Sequence, residues 1–266
     1  LGELSAKNET LVVLNQEKSE FLSIAAHDLK NPLTAIMASS EMMQTFDDPA
    51  MVRQMSDMVM SASKRMHHLI TDLLDANAIE EGRYASNIEP CNVSALVTQI
   101  VGQNLFAAKK KQIEIRVGLQ DDLIAQTDAN ASLQMLDNLI SNAVKYSPQN
   151  TTIHVHIMPE KEHVLVLVRD EGPGISEEDQ KKLFQKYSRL TARPTGGESS
   201  TGLGLSIAKR LAQTLGGDIL CHSALGAGTT FTLRLPLQSP EIARNAKDHD
   251  VDDILRETAT FVLHRN

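Results

Sequence analysis

Two long stretches of the chain place apolar or small residues in steps of four and three. The first is Leu22, Ala26, Leu29, Leu33, Ile36, Ser40 and Met43; the second is Met51, Met55, Met58, Ala62, Met66, Leu69, Leu73 and Ala76. Each series lines one side of an α-helix. The first helix is expected from about Ser19 to Phe46, with Pro32 kinking or loosening it. The second begins after Asp47-Asp48 at Pro49, a residue suited to a first helical turn, and runs to about Glu81, where Gly82 is a natural stop. Two helices with narrow seams and a short connection form an antiparallel hairpin. One hairpin buries too little by itself, so the pattern predicts a homodimer in which two hairpins make a four-helix bundle. The methionines are core filler on this reading. Upstream, Leu1, Leu4, Leu11 and Leu14 fit a coiled-coil lead-in with Asn8 and Asn15 in its core, or equally a frayed terminus.

From residue 86 the periodicity becomes mixed. Ile88 to Cys91 is expected as a short strand and Val93 to Lys110 as a helix, with Lys109, Lys110 and Lys111 at its negative end. Ile113, Ile115 and Val117 alternate as a strand, and Leu123 to Gln126 is another candidate. Asp128 is placed to cap a helix over Ala129 to Tyr146, which Pro148 stops. Ile153, Val155 and Ile157, then Val164 to Val168, read as a hairpin. After a glycine-rich stretch, Leu205 to Leu215 is helical, and strands over Asp218 to His222 and Thr230 to Leu235 close the unit. This order predicts an α+β sandwich with helices on one face. Beyond it, Val251, Ile254, Leu255, Thr258, Phe261 and Val262 share one face of a further amphipathic helix. The expected organisation is therefore 1–18 lead-in, 19–85 helical hairpin, 86–237 sandwich and 238–266 extension.

Charge sharpens the boundary near residue 86. Residues 1–85 hold 13 acids and 7 bases, residues 86–237 hold 15 of each, and the last 29 residues hold 6 and 4. The net charge of −8 argues against a nucleic-acid partner. No run of about 18 apolar residues is present to span a membrane. Cys91 and Cys221 form no spaced cluster, which favours buried free thiols in a reducing compartment. The first residue is Leu, so a piece of a longer protein is expected, with sensory or membrane segments outside it.

Several segments carry candidate chemistry. His27 stands one position past the first seam, at its solvent edge, with Asp28 next to it and Asn31 one turn later. By itself such a histidine is either a nucleophile or a plain surface residue. In DNLISNAVKYS (Asp137 to Ser147), Asn138 and Asn142 share a helical face, with Lys145 and Tyr146 one turn on. Amide oxygens are neutral hard ligands for a Mg²⁺ shared with phosphates; a polar helix face is the ordinary alternative. In DEGPGI, Asp170 emerges at a strand end, where a carboxylate can accept from an exocyclic amine, and Gly172 and Gly174 let backbone approach a flat ring. In GGESSTGLGLSIAKRL, the run Gly202, Leu203, Gly204 opens a helix whose free N–H groups face any phosphate. It lacks the Walker A pattern. GAGT, Gly226 to Thr229, is by itself a turn.

The order of these segments resembles the sensor histidine kinase family over roughly residues 19 to 237. AAHDLKNPL resembles its phosphoacceptor box, Asp137–Ser147 its N box, DEGPGI its first glycine box, LFQKYSR (Leu183 to Arg189) its F box, TGLGL its second glycine box and GAGT a third. The resemblance implies a Bergerat-type ATP fold, binding ATP and Mg²⁺. Asp170 would read adenine, Asn142 would hold Mg²⁺ with Asn138 nearby, and Lys145 and Tyr146 would line the nucleotide. Gly172, Gly174, Thr201, Gly202, Leu203, Gly204 and Thr229 complete the implied site. Residues 184 to 201 would form a mobile lid, in which Arg189, and to a lesser degree Arg193, would touch the γ-phosphate. The implied activity is autophosphorylation of His27 and transfer to an aspartate of a response-regulator receiver domain. Asp28 assists the forward step, and Asn31 stands where the family orients water for the reverse, phosphatase, step. Pro32 would let the bundle bend between two states. Such a protein is bacterial and its catalytic part cytoplasmic, with any membrane anchor outside this segment. Two other readings are an ATP-binding relative that signals by conformation and a Bergerat-fold chaperone or topoisomerase ATPase; the histidine hairpin counts against the second.

Overall fold

The computed structural model describes residues 25–45, 48–118, 123–185, 188, 190–196 and 202–237, apart from the side chains of His68, Asp72, Ala76 and Glu80. The expected lead-in and the extension helix lie outside these residues, as do the start of the first helix, Arg189 and Thr201. The chain divides into two compact units, Leu1–Ala78 and Ile79–Asn266. Among the described residues no helix is long and apolar enough to cross a membrane.

In the first unit, residues 25–45 form helix α1 and Pro49–Glu80 form α2. Helix α1 passes through Pro32 without a break. Pro32 itself is buried, so the helix tolerates the missing N–H at a packed position. Asp48 caps the next helix: its Oδ1 accepts from Ala50 N at 3.0 Å. Gly82, at φ +63°, ends the run, donating to Ile79 O at 3.1 Å.

The buried faces differ in detail from the expected seams. In α2 the inward positions are Met55, Val59, Ala62, Met66, Leu69 and Leu73, whereas Met58 is exposed. Val59 replaces it because steps of four and three then alternate without interruption, keeping one seam on a helix of 3.6 residues per turn. In α1, Leu29, Ile36, Ser40 and Met43 are half-buried as expected, but Ala26 and Leu33 face solvent. Pro32 and Ser39 are the buried positions there. Leu29, Pro32, Ile36, Ser39 and Met43 then follow in steps of three and four, one seam of a helix with 3.6 residues per turn.

The second unit contains β1 (Glu89–Asn92), α3 (Val93–Lys110), β2 (Glu114–Gly118), β3 (Ile124–Thr127) and α4 (Ala129–Tyr146). It continues with β4 (Thr152–Glu160), β5 (His163–Asp170), α5 (Glu177–Gln180), α6 (Gly204–Thr214), β6 (Asp218–Ser223) and β7 (Thr229–Pro236). The main sheet has five strands in the order β2-β4-β5-β7-β6. β2 runs parallel to β4 and the remaining pairs are antiparallel. β1 and β3 form a separate antiparallel pair, and Ala125 of β3 bridges to Leu237 just past β7.

Helix α4 lies between α3 and α6 and over β5. Its Met135, Leu136, Leu139 and Ile140 are fully buried, the three-and-four spacing of an apolar stripe. Asn92 caps α3 through Ala95 N, and Asp128 caps α4 through Ala131 N, both at 3.0 Å. The second oxygen of Asp128 accepts from Asn87 N at 2.8 Å, tying the chain that enters the unit to the base of α4. β5 is buried on both faces from Val164 to Val168, as a central strand reads when both faces are covered.

Candidate functional site

In the hairpin unit, the imidazole of His27 is 67% exposed, and its Nδ1 lies 3.1 Å from Asp28 Oδ1. With Nδ1–H donated to that carboxylate, the lone pair is on Nε2. The ring is thus oriented, and Nε2 is the nitrogen without a protein partner among the described residues. Asn31 follows one turn later and is exposed.

In the sandwich unit the candidate residues gather along α4. Asp170 is the last residue of β5, opposite Thr229 at the start of β7. Its carboxyl is buried, and burial pushes its pKa up from 3.8 to about 6. Hydrogen bonds from the backbone of Gly172 and Thr229, and the charge of Arg169, pull the other way. Both backbone donors fall on Oδ1, at 2.8 Å from Gly172 N and 3.2 Å from Thr229 N. Among the described residues Oδ2 is left to accept from a bound amine.

The turn after Asp170 is tied into the sheet. Gly174 has φ +72°, and a Cβ there would lie 1.9 Å from Ala224 O, so only glycine lets the two loops touch. Gly226 N donates to Pro173 O at 2.8 Å. Ser223 joins three segments: its Oγ accepts from Ile175 N, contacts Thr229 Oγ1 and donates to Gly228 O, all at 2.8–2.9 Å. Gln180 of α5 adds bonds to Ile175 O and Ser223 O. Nothing in the sequence distinguished Ser223 or Gln180, because each ties together segments 43 to 48 positions apart.

The other end of the site is the start of α6. Helix α6 opens at Gly204 without a side-chain cap, so its first N–H groups and dipole are open to an anion. A Cβ on Gly204 would lie 2.1 Å from Asn138 Oδ1, so α6 begins directly against α4. Asn138 is buried and its Nδ2 donates to Gln134 O at 3.0 Å. Asn142, one turn further, is half-buried, as are Lys145 and Tyr146. The carbonyl of Tyr146 lies beside Gly172. Helix α4 therefore runs from the α6 terminus, at Asn138, to the Asp170 turn, at Tyr146. Eight residues of helix span roughly 12 Å, about the reach from a nucleoside base to its terminal phosphates.

The segment expected to be a lid is described in part. Phe184 packs under Lys209 Nζ, 5.0 Å from the ring centroid; Lys209 also reaches Asp218 Oδ1 at 2.6 Å. Thr191 donates through both N and Oγ1 to Asp179 Oδ2, which holds that carboxyl below its usual range. Thr195 meets Lys111. The lysine run 109–111 was expected at the end of α3, yet the Lys111 ammonium serves α4 instead, donating to Val144 O at 2.7 Å and Lys145 O at 2.9 Å. The turn after α3 folds Lys111 back under the neighbouring helix. Cys221 flanks Asp170, and burial with that carboxyl pushes its thiol up to about 12, so it is inert as a nucleophile. Among the described residues no cluster of three or more His, Cys, Asp or Glu could hold a metal ion.

The chain was compared with known proteins. Residues 17–82 match the His Kinase A (phospho-acceptor) domain, and residues 127–239 match the histidine kinase-, DNA gyrase B-, and HSP90-like ATPase domain. The sensor histidine kinase WalK of Bacillus subtilis is 32% identical over 233 residues, 86% of this chain and 38% of that protein. The chain thus spans well under half the length of that relative. Among solved structures, full-length ShkA in complex with AMPPNP superposes with a TM-score of 0.61 at 20% identity, covering 84% of this chain and 47% of that one. Histidine kinase ThkA in complex with response regulator protein TrrA gives 0.59 at 23% identity, covering 88% and 64%. At those identities the structures show a shared fold. With a phospho-acceptor hairpin and an ATPase sandwich in succession, the chain belongs to the sensor histidine kinase family.

Proposed function

We propose that the chain is the phosphoacceptor and catalytic portion of a two-component sensor kinase, which transfers the γ-phosphoryl group of ATP to His27 and then to an aspartate of a response-regulator receiver domain. One observation carries this reading: an exposed imidazole, oriented by its own neighbour so that Nε2 is free, in a chain that also holds the elements of a nucleotide site. The match to the ATPase domain and the neighbour bound to AMPPNP support ATP as the phosphoryl donor. The neighbour in complex with a response regulator supports the partner class. The net charge of −8 supports a protein partner over a nucleic acid.

Asp170 accepts the exocyclic amine of adenine on Oδ2 while Gly172 and Thr229 hold Oδ1. The phosphates lie toward the uncapped start of α6, where Gly202, Leu203 and Gly204 let backbone N–H groups approach. Lys145 and Tyr146 line the nucleotide. The half-buried amide of Asn142, with no side-chain partner among the described residues, fits Mg²⁺ as a neutral oxygen ligand, with Asn138 holding α6 in place beside it. A metal held there would supply charge neutralisation on the phosphates. Arg189 and Thr201, in the lid segment, belong to the same proposal.

In the transfer, the Nε2 lone pair of His27 forms the bond to the γ-phosphorus as the bond to the β–γ bridging oxygen breaks, and ADP leaves with that electron pair. Asp28 stabilises the positive charge that develops on the ring and takes up the Nδ1 proton. Positioning and charge neutralisation supply the catalysis, since phosphoryl transfer asks for little covalent chemistry from the protein. Asn31 orients a water on the phosphorylated regulator in the reverse reaction; an Asn31→Ala protein that dephosphorylates the regulator at the wild-type rate would remove that role. The exposed apolar residues of α1 and α2 pair with a second copy in a four-helix bundle.

Incubation with labelled ATP tests the central claim. The wild type should acquire acid-labile, alkali-stable label, and His27→Gln should acquire none while still binding ATP. Label that persists in His27→Gln overturns the assignment. ATP binding with no label in the wild type favours a relative that signals by conformation.

A further inference from the structure

Asp170, Thr229 and Ser223 form one row across the main sheet. Asp170 stands opposite Thr229, and Thr229 opposite Ser223, on the neighbouring strands β5, β7 and β6. Directly opposed residues carry their side chains on the same face, so three polar groups lie side by side. Asp170 and Thr229 are only 5% and 6% exposed, and at such burial polar groups take hydrogen-bond partners.

The direction of each bond in the row follows from counting protons. A serine hydroxyl has one proton to give and two lone pairs. Ser223 Oγ lies 2.8 Å from Ile175 N, 2.8 Å from Gly228 O and 2.9 Å from Thr229 Oγ1. The amide of Ile175 only donates, and the carbonyl of Gly228 only accepts. The single Ser223 proton is therefore spent on Gly228 O, and Ser223 meets Thr229 as an acceptor. The Thr229 proton then points at Ser223. Lone pairs remain on Thr229 Oγ1, and no donor reaches them among the described residues. Asp170 has the same character, since Gly172 N and Thr229 N both fall on Oδ1 and leave Oδ2.

We infer that Ser223 is a positioning residue for base selection. By drawing the Thr229 proton away from the site, it leaves two acceptors, Thr229 Oγ1 and Asp170 Oδ2, for the two hydrogens of one exocyclic amine. This role rests on the nucleotide reading above and belongs to a residue outside the motifs of that reading. A purine with an amine satisfies both acceptors. A purine with an oxo group at the same position sets lone pairs against lone pairs, and a site built to accept hydrogen bonds rejects such an analogue strongly. A Thr229 hydroxyl free to turn would donate to the oxo oxygen and weaken the choice. Ser223 touches no ligand; it fixes which way its neighbour's proton points.

The ratio of affinities for ATP and inosine triphosphate tests this, because inosine carries an oxo group where adenosine has its amine. Both are titrated by calorimetry into the full chain at about pH 7.5, where the Asp170 carboxyl is ionised. The wild type should prefer ATP. Ser223→Ala releases the Thr229 hydroxyl and should lower that preference about three- to tenfold, the range of one hydrogen bond. Ser223→Thr keeps a hydroxyl and should keep the preference. A serine that merely braces Ile175 and Gly228 would, on removal, weaken both nucleotides alike and leave the ratio unchanged. Thr229→Val leaves the Ser223 bonds to Ile175 and Gly228 in place and should lower the ratio by itself, which keeps the test decisive if Ser223→Ala folds poorly. Adding Ser223→Ala to Thr229→Val should change the ratio no further, since the serine acts through the threonine. An unchanged ratio in either single variant overturns the inference, as do additive losses in the double variant or a wild type that binds both nucleotides equally. Absence of saturable ATP binding by the wild type overturns the nucleotide reading and this inference together, whereas intact ATP binding with any of those outcomes overturns the inference alone.

Discussion

In the sandwich unit, Met135, Leu136, Leu139 and Ile140 of α4 are each 0% exposed; in the hairpin unit, Leu33, Met58 and Leu74 remain 47%, 47% and 63% exposed. Both sets come from helices with a three-and-four repeat, so periodicity does not separate them. What separates them is the number of neighbours. Helix α4 is enclosed by α3, α6 and β5, whereas the hairpin unit offers α1 and α2 no sheet to pack on among its described residues. An apolar stripe thus marks a surface that needs covering, and says nothing of whether its own chain supplies the cover. The sandwich covers its apolar helix face within one copy; on the proposed reading the hairpin is covered by a second.

The largest effect should come from opening the closed core. Leu139→Ala leaves a cavity in a site with no exposure and should cost about 2–5 kcal/mol. In urea titrations followed by circular dichroism, that loss should appear in a concentration-independent transition and leave the dimer-dependent one in place. A single shifted transition for the whole chain would break the comparison.

Next is the carboxylate proposed to read the base. Asp170→Ala removes an acceptor and strands the N–H groups of Gly172 and Thr229, about 2–3 kcal/mol, or roughly 30- to 150-fold in ATP affinity by calorimetry. Self-association of the hairpin should not change.

A smaller, graded effect should follow pH. The pKa of Asp170 is raised from 3.8 to about 6 in the folded protein, so between those values the folded state holds a proton that the unfolded chain releases. Stability of the empty protein should therefore fall as pH rises from about 4 through about 6. Adenine needs the ionised acceptor, so ATP affinity should run the other way, weakening up to about tenfold per pH unit below about 6. Calorimetry in buffers of different ionisation enthalpy should show proton release on binding near pH 6, and a flat profile from pH 5 to 7 would exclude Asp170 as the acceptor. The smallest effect should be Leu74→Ser, about 1 kcal/mol or less on folding of one chain, read instead as weaker self-association in sedimentation equilibrium. Unchanged association would mean that the exposed stripe serves some other surface.

Local order was the readable part of this sequence. Helices α3 and α4 begin and end where expected, because Asn92 and Asp128 cap them and Pro148 follows the second. Gly82 stopped α2 for an equally local reason. Long-range pairing was less accessible. The parallel alignment of β2 with β4 and the separate β1–β3 pair depend on crossovers, which strand periodicity does not encode. In α2 the one-residue choice between Met58 and Val59 is decided by packing, which leaves Met58 exposed and Val59 half-buried. The same division runs through the candidate site. Asp170 announced itself at the end of an apolar strand. Lys111 sat in a run that suited the helix it follows, and its real partners are 33, 34 and 84 positions away.

The knot at Ser223 has a consequence for the order in which a ligand meets this protein. Ile175, Gly228, Thr229 and Gln180 are all fastened to that residue, so the wall behind Asp170 is assembled before anything binds. A ligand reaching that end meets finished architecture, and little of its binding energy is consumed in arranging the protein. A compact, flat heterocycle bearing an amine, with no phosphates at all, should for that reason retain high affinity per atom here, and this end of the site is where a small inhibitor would start.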